Sequence, residues 1–157
     1  MEQKQHTVEA YEQTLNWVKE LEELSEKQWR MPLASGKWTI AEVIGHLIPW
    51  DIFVMEQRLP SFFAEVAFPV SPTVEEVNKL ANEKSRVKTK KELIDSFIAA
   101  RTKLIAAIKK VPNEHWQQEL PQMKNRMTLS DYFKGLLDHD HRHFEEISEA
   151  LRRYSDR

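Results

Sequence analysis

The stretch MTLSDYFKGLLDHDHRHFEEISEALRRY, residues 127–154, has the features of one long amphipathic helix. Thr128 and Asp131 resemble a capping box, in which two side chains bond to free amides in the first turn of a helix. From Tyr132 onward, apolar residues and two histidines recur at the three- and four-residue spacing of one helical face. The pattern predicts a helix that ends near Tyr154.

Two segments nearer the start of the chain have the same periodicity. They predict a first helix over about residues 6–27 and a second over about residues 39–58. Thr39 and Glu42 form a capping box at the start of the second helix. Pro49 lies inside this helix and cannot donate to the carbonyl four residues earlier, so we expect a kink there.

Residues 59–88 separate the second helix from the third and contain three prolines, so they predict a long crossover with only a short helical piece. The third helix begins at a capping box formed by Thr89 and Glu92. Four long helices with one long connection favour an all-α fold, a four-helix bundle with a long crossover between helices 2 and 3. At this length the chain is expected to form a single domain, residues 1–157.

The composition argues against several classes of protein. There is no cysteine, which excludes disulfides, thiolate zinc sites and cysteine nucleophiles. The 23 basic and 25 acidic residues nearly cancel to a net charge of −2, which argues against nucleic acid as a partner. No apolar run reaches the roughly 18 residues of a membrane span, so we expect no membrane association and a cytoplasmic location. Only three glycines are present, in agreement with an all-α domain.

Three histidines lie within five positions of the last helix, and helical geometry divides them. His139 and His143 share a face, whereas His141 lies about 160° away, on the side expected to face water. The shared face is the apolar stripe, so we expect the pair at the core and Asp140 at the surface. Either each core imidazole has its own hydrogen-bond partner, or the two share a metal ion, as histidines at i and i+4 do in metalloproteases.

An open catalytic metal site usually has three protein ligands, and three other histidines are candidates for the third. His6 lies near the start of the chain and His115 in a predicted loop, so both are expected to be solvated. His46 lies on the same side of the second helix as Val43 and Trp50. It is the candidate that can meet the pair from an opposing helix.

A short internal repeat relates the two halves of the chain. Residues 24–32, LSEKQWRMP, resemble residues 111–119, VPNEHWQQE, and each stretch lies between two predicted helices. We therefore expect Trp29 and Trp116 to occupy comparable positions at the ends of the bundle.

Residues 35–51, SGKWTIAEVIGHLIPWD, and residues 139–147, HDHRHFEEI, together resemble the DinB/YfiT-like family of metal-binding four-helix bundles. In that family the second helix opens with Trp-Ser or Trp-Thr followed by a histidine, and the last helix carries two histidines four residues apart. The resemblance implies one divalent metal ion, nickel or zinc, bound by His46, His139 and His143 with positions open to water.

Two acidic residues are candidates for a role beside this metal. Glu146 lies three residues after His143 and either orients that imidazole as a hydrogen-bond acceptor or is a surface acid. Asp51 is a weaker candidate than Glu146, and it would approach the metal past the expected kink at Pro49. The sequence is compatible with each of these roles for Glu146 and Asp51.

The resemblance implies a metal-dependent enzyme with a small-molecule substrate and suggests a homodimer. In such a site a metal-bound water or thiol loses its proton near neutral pH and becomes the nucleophile. The reaction is then either hydrolysis or transfer of a low-molecular-weight thiol, of the bacillithiol or mycothiol type, to an electrophile. Thiol transfer is slightly favoured, because many cytoplasmic relatives are interpreted in that way.

The alternative from another class is a metal-binding stress or scaffold protein without turnover. A structural metal has a closed coordination shell, so a fourth ligand such as Asp51 or Glu146 would favour this alternative. An open metal position that faces a pocket lined by Trp50 and Phe53 would favour the enzyme.

Overall fold

The computed structural model describes residues 2–64, 67–68 and 71–155. Within these ranges the chain forms α-helices and no β-strand, which confirms the all-α prediction. None of the described helices is long and apolar enough to cross a membrane. The α-helices are α1 (Glu2–Glu20), α2 (Glu26–Trp29), α3 (Ile40–Phe53), α4 (Leu59–Ala64), α5 (Val74–Val87), α6 (Lys90–Lys109), α7 (Asn113–Trp116) and α8 (Leu129–Ser155).

The long helices α1, α3, α6 and α8 form the four-helix bundle. Helix α6 packs against α1 and α3, and α1 also packs against α8. Helices α4 and α5 belong to the connection between α3 and α6, and α5 packs along α3. The predicted bundle with a long crossover between its second and third long helices is confirmed.

The predicted capping boxes are present at the starts of three bundle helices. In α3, the Thr39 amide donates to the Glu42 carboxylate at 3.0 Å, and the Glu42 amide donates to the Thr39 hydroxyl at 3.1 Å. These bonds satisfy amides that no helical carbonyl can reach, which is why the sequence locates the helix starts. The same reciprocal bonds begin α6 and α8, between Thr89 and Glu92 and between Thr128 and Asp131.

The first helix ends earlier than predicted. Helix α1 ends at Glu20, and a single tight turn follows at Leu21–Glu23. Leu24 is extended, and Ser25 begins the separate helix α2 through its own capping box with Gln28. The predicted end near residue 27 is wrong because the Ser25 side chain offers the backbone a cap in place of a continuing helix.

The α-helix α3 ends at Phe53, but the helical segment that it starts continues beyond the predicted end near residue 58. Helix α3 continues through Pro49, and a wider turn of the π type at Val54–Arg58 leads directly into α4. In this turn the Leu59 amide donates to the carbonyl of Val54, five residues earlier. The wider turn directly precedes Pro60, which has no amide proton for the usual bond to the fourth residue back.

The helical piece in the crossover is longer than the short one predicted. Helix α5 has 14 residues and is capped by Thr73, whose hydroxyl accepts from the Glu76 amide at 3.2 Å. The small residues Ala81 and Ser85 are buried on the side of α5 that packs along α3. Packing of this small-residue face stabilises a helix that the proline-rich surroundings did not predict.

The apolar core has two clusters, and each contains one of the repeated tryptophans. Trp29, at the end of α2, packs in one cluster with Phe97, and Trp116, at the end of α7, packs in the other with Phe133. Trp29 and Trp116 are 0% and 2% exposed. The internal repeat therefore has a structural counterpart. An isolated backbone bridge after each tryptophan reaches the capping threonine of the next long helix, Pro32 with Thr39 and Glu119 with Thr128.

Candidate metal site

A cavity of about 480 Å³ beside α3 and α8 is lined by all three predicted metal ligands. His46 lines it from α3, and His139 and His143 line it from α8. Trp50 and Phe53 are also in its wall, as the enzyme hypothesis requires. A second cavity of about 580 Å³, between α3, α5 and α6, has no histidine in its lining and is not a candidate for this site.

His46 is held in one tautomer by the backbone of its own helix. Its side chain is buried, and its Nδ1 contacts the carbonyl oxygen of Val43. Because a carbonyl oxygen can only accept, Nδ1 carries the proton and Nε2 keeps a free lone pair. Burial, and to a smaller extent the neighbouring His143 and His139, lowers the pKa of His46 to about 4, so this imidazole is neutral at pH 7.

The His143 ring contacts both of the other two imidazole rings. The ring centroids of His139 and His143 are 4.6 Å apart, and those of His46 and His143 are 5.0 Å apart. Nδ1 of His143 is buried and has no hydrogen-bond partner among the described residues, and burial lowers the pKa of this residue. The Glu146 carboxylate lies 3.8 Å from that nitrogen, beyond hydrogen-bond length, and its side chain is 58% exposed.

The rings meet edge to face and do not direct three nitrogens at one point. In the described part of the chain, no three histidine, cysteine, aspartate or glutamate side chains are already arranged to hold an ion. Coordination therefore requires side-chain rotation. His139 is exposed, whereas His143 is half-buried and His46 buried, so His139 is the least constrained of the three.

From Phe133 to Phe144 the buried stripe of α8 lies one residue further along than predicted, whereas Ile147 and Ala150 are buried as predicted. His139 is exposed and His143 half-buried, so the pair lines the cavity at the margin of the core and is not part of it. Adjacent helical positions differ by 100°, and periodicity alone does not separate two neighbouring stripes. The buried residues in the middle of α8 are Phe133, Leu137, Asp140, Phe144 and Ile147.

The prediction that Asp140 is a surface charge is wrong. Asp140 is 5% exposed, and its Oδ2 accepts from Nη1 of Arg101 at 2.7 Å. The same guanidinium donates to both carboxylate oxygens of Asp51, at 2.7 and 2.9 Å, and to the Thr14 hydroxyl at 3.0 Å. Arg101 therefore joins α6 to α1, α3 and α8.

This network also decides the position of Asp51. Both of its oxygens accept from Arg101, so Asp51 is not placed as a fourth ligand or as the partner of a ligand imidazole. Sequence reasoning missed Arg101, although a signal was present, since a charged residue interrupts the apolar stripe between Phe97 and Leu104. A buried arginine in such a stripe needs acceptors on other helices, which would have pointed to Asp51 and Asp140.

Residues 7–147 match the sequence profile of the DinB superfamily. The chain belongs to the DinB superfamily. Among solved structures, YfiT from Bacillus subtilis has the same fold, with a TM-score of 0.79 over 99% of this chain and 89% of the YfiT chain, at 20% sequence identity. YfiT is described as a probable metal-dependent hydrolase with an unusual four-helix bundle topology. No curated protein has significant sequence similarity to the chain.

The other histidines of this DinB-superfamily chain do not line the cavity. His6 and His141 are exposed, and the prediction that His141 faces water is confirmed. His115 was predicted to lie in a loop, but it lies in the short helix α7. The DinB-superfamily fold thus brings together three histidines from α3 and α8 and leaves the others outside the site.

Proposed function

We propose that the chain is a divalent-metal-dependent enzyme whose ion, nickel or zinc, is bound by His46, His139 and His143. The observation that carries the proposal is the contact of these three imidazoles, from two helices, at one cavity. YfiT, which has the same fold, is described as a probable metal-dependent hydrolase, and this supports the same broad class.

Two features of the imidazoles suit a metal. The buried Nδ1 of His143 has no partner among the described residues, and a ligated ion would satisfy it. The bond from Nδ1 of His46 to Val43 leaves Nε2 for the metal, as is usual for ligating histidines oriented by an outer partner. A divalent ion bound there would act as a Lewis acid that lowers the pKa of a ligated water or thiol to near neutrality.

The surroundings favour thiol transfer over hydrolysis. Hydrolysis benefits from a general base and a general acid, but the carboxylates lining the cavity, Asp51 and Asp140, are both paired with Arg101. Transfer of a low-molecular-weight thiol needs no such pair. The sulfur forms a bond to an electrophilic carbon, the leaving group departs with its bonding electrons, and the thiol proton passes to solvent.

Two other functions have less support. Hydrolysis is the second candidate because YfiT is described as a probable hydrolase. A metal-binding scaffold protein needs a closed coordination shell, and this is disfavoured because Asp51 is held by Arg101 and Glu146 is largely exposed.

The proposed site predicts about one divalent ion per chain, measured as metal content after purification and dialysis. His139→Ala should lose the ion and keep the helical circular dichroism of the wild type, because His139 is exposed. His141→Ala is the matched control, since His141 is also exposed and lies two residues away on α8. Equal metal content in the wild type, His139→Ala and His46→Ala would contradict the site.

Two assays on the metal-loaded protein separate the reactions. We expect conjugation of a low-molecular-weight thiol to an activated aryl halide, lost in His139→Ala and kept in His141→Ala, and no turnover of an ester and amide panel. Ester or amide turnover without conjugation would favour hydrolysis. No turnover in either assay, with one ion bound per chain, would favour the scaffold protein.

A further inference from the structure

Arg58 is a cationic residue in the wall of the cavity that contains the three histidines. It ends the wide turn between α3 and α4, and its side chain is half-buried. The guanidinium carbon lies 4.0 Å from the ring centroid of Phe68 and 5.2 Å from that of Phe53. Both distances are within the range of a cation–π contact with the guanidinium.

Among the described residues, no carboxylate forms an ion pair with Arg58, and no group forms a hydrogen bond with its buried Nε. Leaving a buried donor of a charged group unsatisfied is costly, because the group has lost its water. Arg101 shows the contrast, since it is fully buried and donates to Asp51, Asp140 and Thr14. Arg58 is therefore a cation in a shaped pocket without an anion from the described part of the chain.

Two further donors lie in the same cavity wall. Asn78 accepts from Trp50 Nε1 through its Oδ1 at 3.0 Å, so its amide hydrogens are not used by that bond. Burial raises the pKa of Tyr132, and the charge of Arg58 only partly opposes this, so the Tyr132 hydroxyl stays protonated and can donate. Both carboxylates in the cavity lining, Asp51 and Asp140, already accept from Arg101. Arg58, Asn78 and Tyr132 thus give the same lining donors that these carboxylates do not use.

We propose that Arg58 is a specificity-determining residue that pairs with a carboxylate of the substrate, while the reactive group of that substrate lies at the histidines. The inference rests on the proposed function and names its substrate class, a small carboxylic acid with an apolar body. A guanidinium binds a carboxylate through two parallel hydrogen bonds, and the aromatic walls suit an apolar body. A phosphate is usually bound by more than one cation, and the other cation of the lining, Arg101, is already paired with Asp51 and Asp140, which favours a carboxylate.

The test is binding of phenylacetate and of its neutral analogue phenylacetamide to metal-free protein, by isothermal titration calorimetry at pH 7. The wild type should bind phenylacetate at least about tenfold more tightly than phenylacetamide. Arg58→Met should remove this preference, and Arg58→Lys, which keeps the charge but not the paired donors, should retain part of it. Arg152→Met, at an exposed position near the end of α8, is the control and should behave as the wild type.

Equal or undetectable binding of the two probes to the wild type would overturn the inference, and so would a preference that survives Arg58→Met. Tighter binding of phenyl phosphate than of phenylacetate, lost in Arg58→Met, would overturn the carboxylate assignment. Because the titration uses metal-free protein, its result is separate from the metal content. One ion per chain without a carboxylate preference contradicts this inference alone, and a carboxylate preference without metal binding contradicts the proposed function alone.

Discussion

Arg101 lies on α6 and forms side-chain hydrogen bonds with the other three long helices. Its guanidinium carbon lies 5.2 Å from the ring centroid of Tyr11, in one apolar cluster, and 4.8 Å from that of Phe97, in the other. It is 1% exposed, and it forms ion pairs with Asp51 and Asp140. Removing one partner of a buried ion pair lowers the free energy of unfolding by more than the intact pair contributes to it, because the remaining charge stays buried.

Asp140→Asn should lower the free energy of unfolding by about 1.5–3 kcal/mol, because Arg101 then keeps only a neutral acceptor on α8. Urea denaturation followed by circular dichroism measures this. Asp138→Asn is the matched control, since Asp138 is exposed on the same helix, and it should change stability by less than about 0.5 kcal/mol. Equal effects of the two substitutions would show that the Asp140–Arg101 pair does not stabilise the fold.

The contact between α3 and α5 depends on one glycine. A Cβ on Gly45 would collide with the Ser85 hydroxyl and lie 3.2 Å from the Ser85 Cβ. Ser85 has little freedom to move, because it is fully buried and its hydroxyl donates to the Ala81 carbonyl at 2.8 Å. Gly45 therefore allows close packing on one side of α3, and the next residue, His46, lines the cavity.

Gly45→Ala should lower the free energy of unfolding by about 1–3 kcal/mol, because overpacking against Ser85 outweighs the helix preference of alanine. Gly135→Ala is the control within α8, where a Cβ would have no neighbour within 4 Å, and it should raise stability by up to about 1 kcal/mol. Thermal and urea unfolding of both variants tests the difference. A stabilising effect of Gly45→Ala similar to that of Gly135→Ala would contradict the close contact.

At the scale of the molecule, the bundle consists of two similar halves. The first half is α1–α2–α3 and the second is α6–α7–α8. Each half has a long helix, a short helix that ends at a buried tryptophan, and a second long helix whose first turn is capped by a threonine. The first helices of the halves, α1 and α6, pack together, and the cavity is lined by the second helices, α3 and α8. The proposed metal site therefore takes one histidine from the first half and two from the second.

Features that depend on short-range interactions were predictable from the sequence. The capping boxes at Thr39, Thr89 and Thr128 are bonds between residues three positions apart, so their helix starts were predictable. The spacing of His139 and His143 placed both on one face for the same reason. Helix ends and the length of α5 were less predictable, because competing caps and packing against α3 decide them.

The positions of the buried charges and the groups that they contact depend on long-range packing. Arg101 is 50 residues from Asp51 and 39 from Asp140, and no local pattern shows that these charges meet in the core. Asp140 is therefore a buried partner of Arg101 and not a surface acid, and Arg58 is a cation in the histidine cavity. The physical reason is that a fully buried charge such as that of Arg101 is costly without a partner, and only the fold brings partners distant in sequence together.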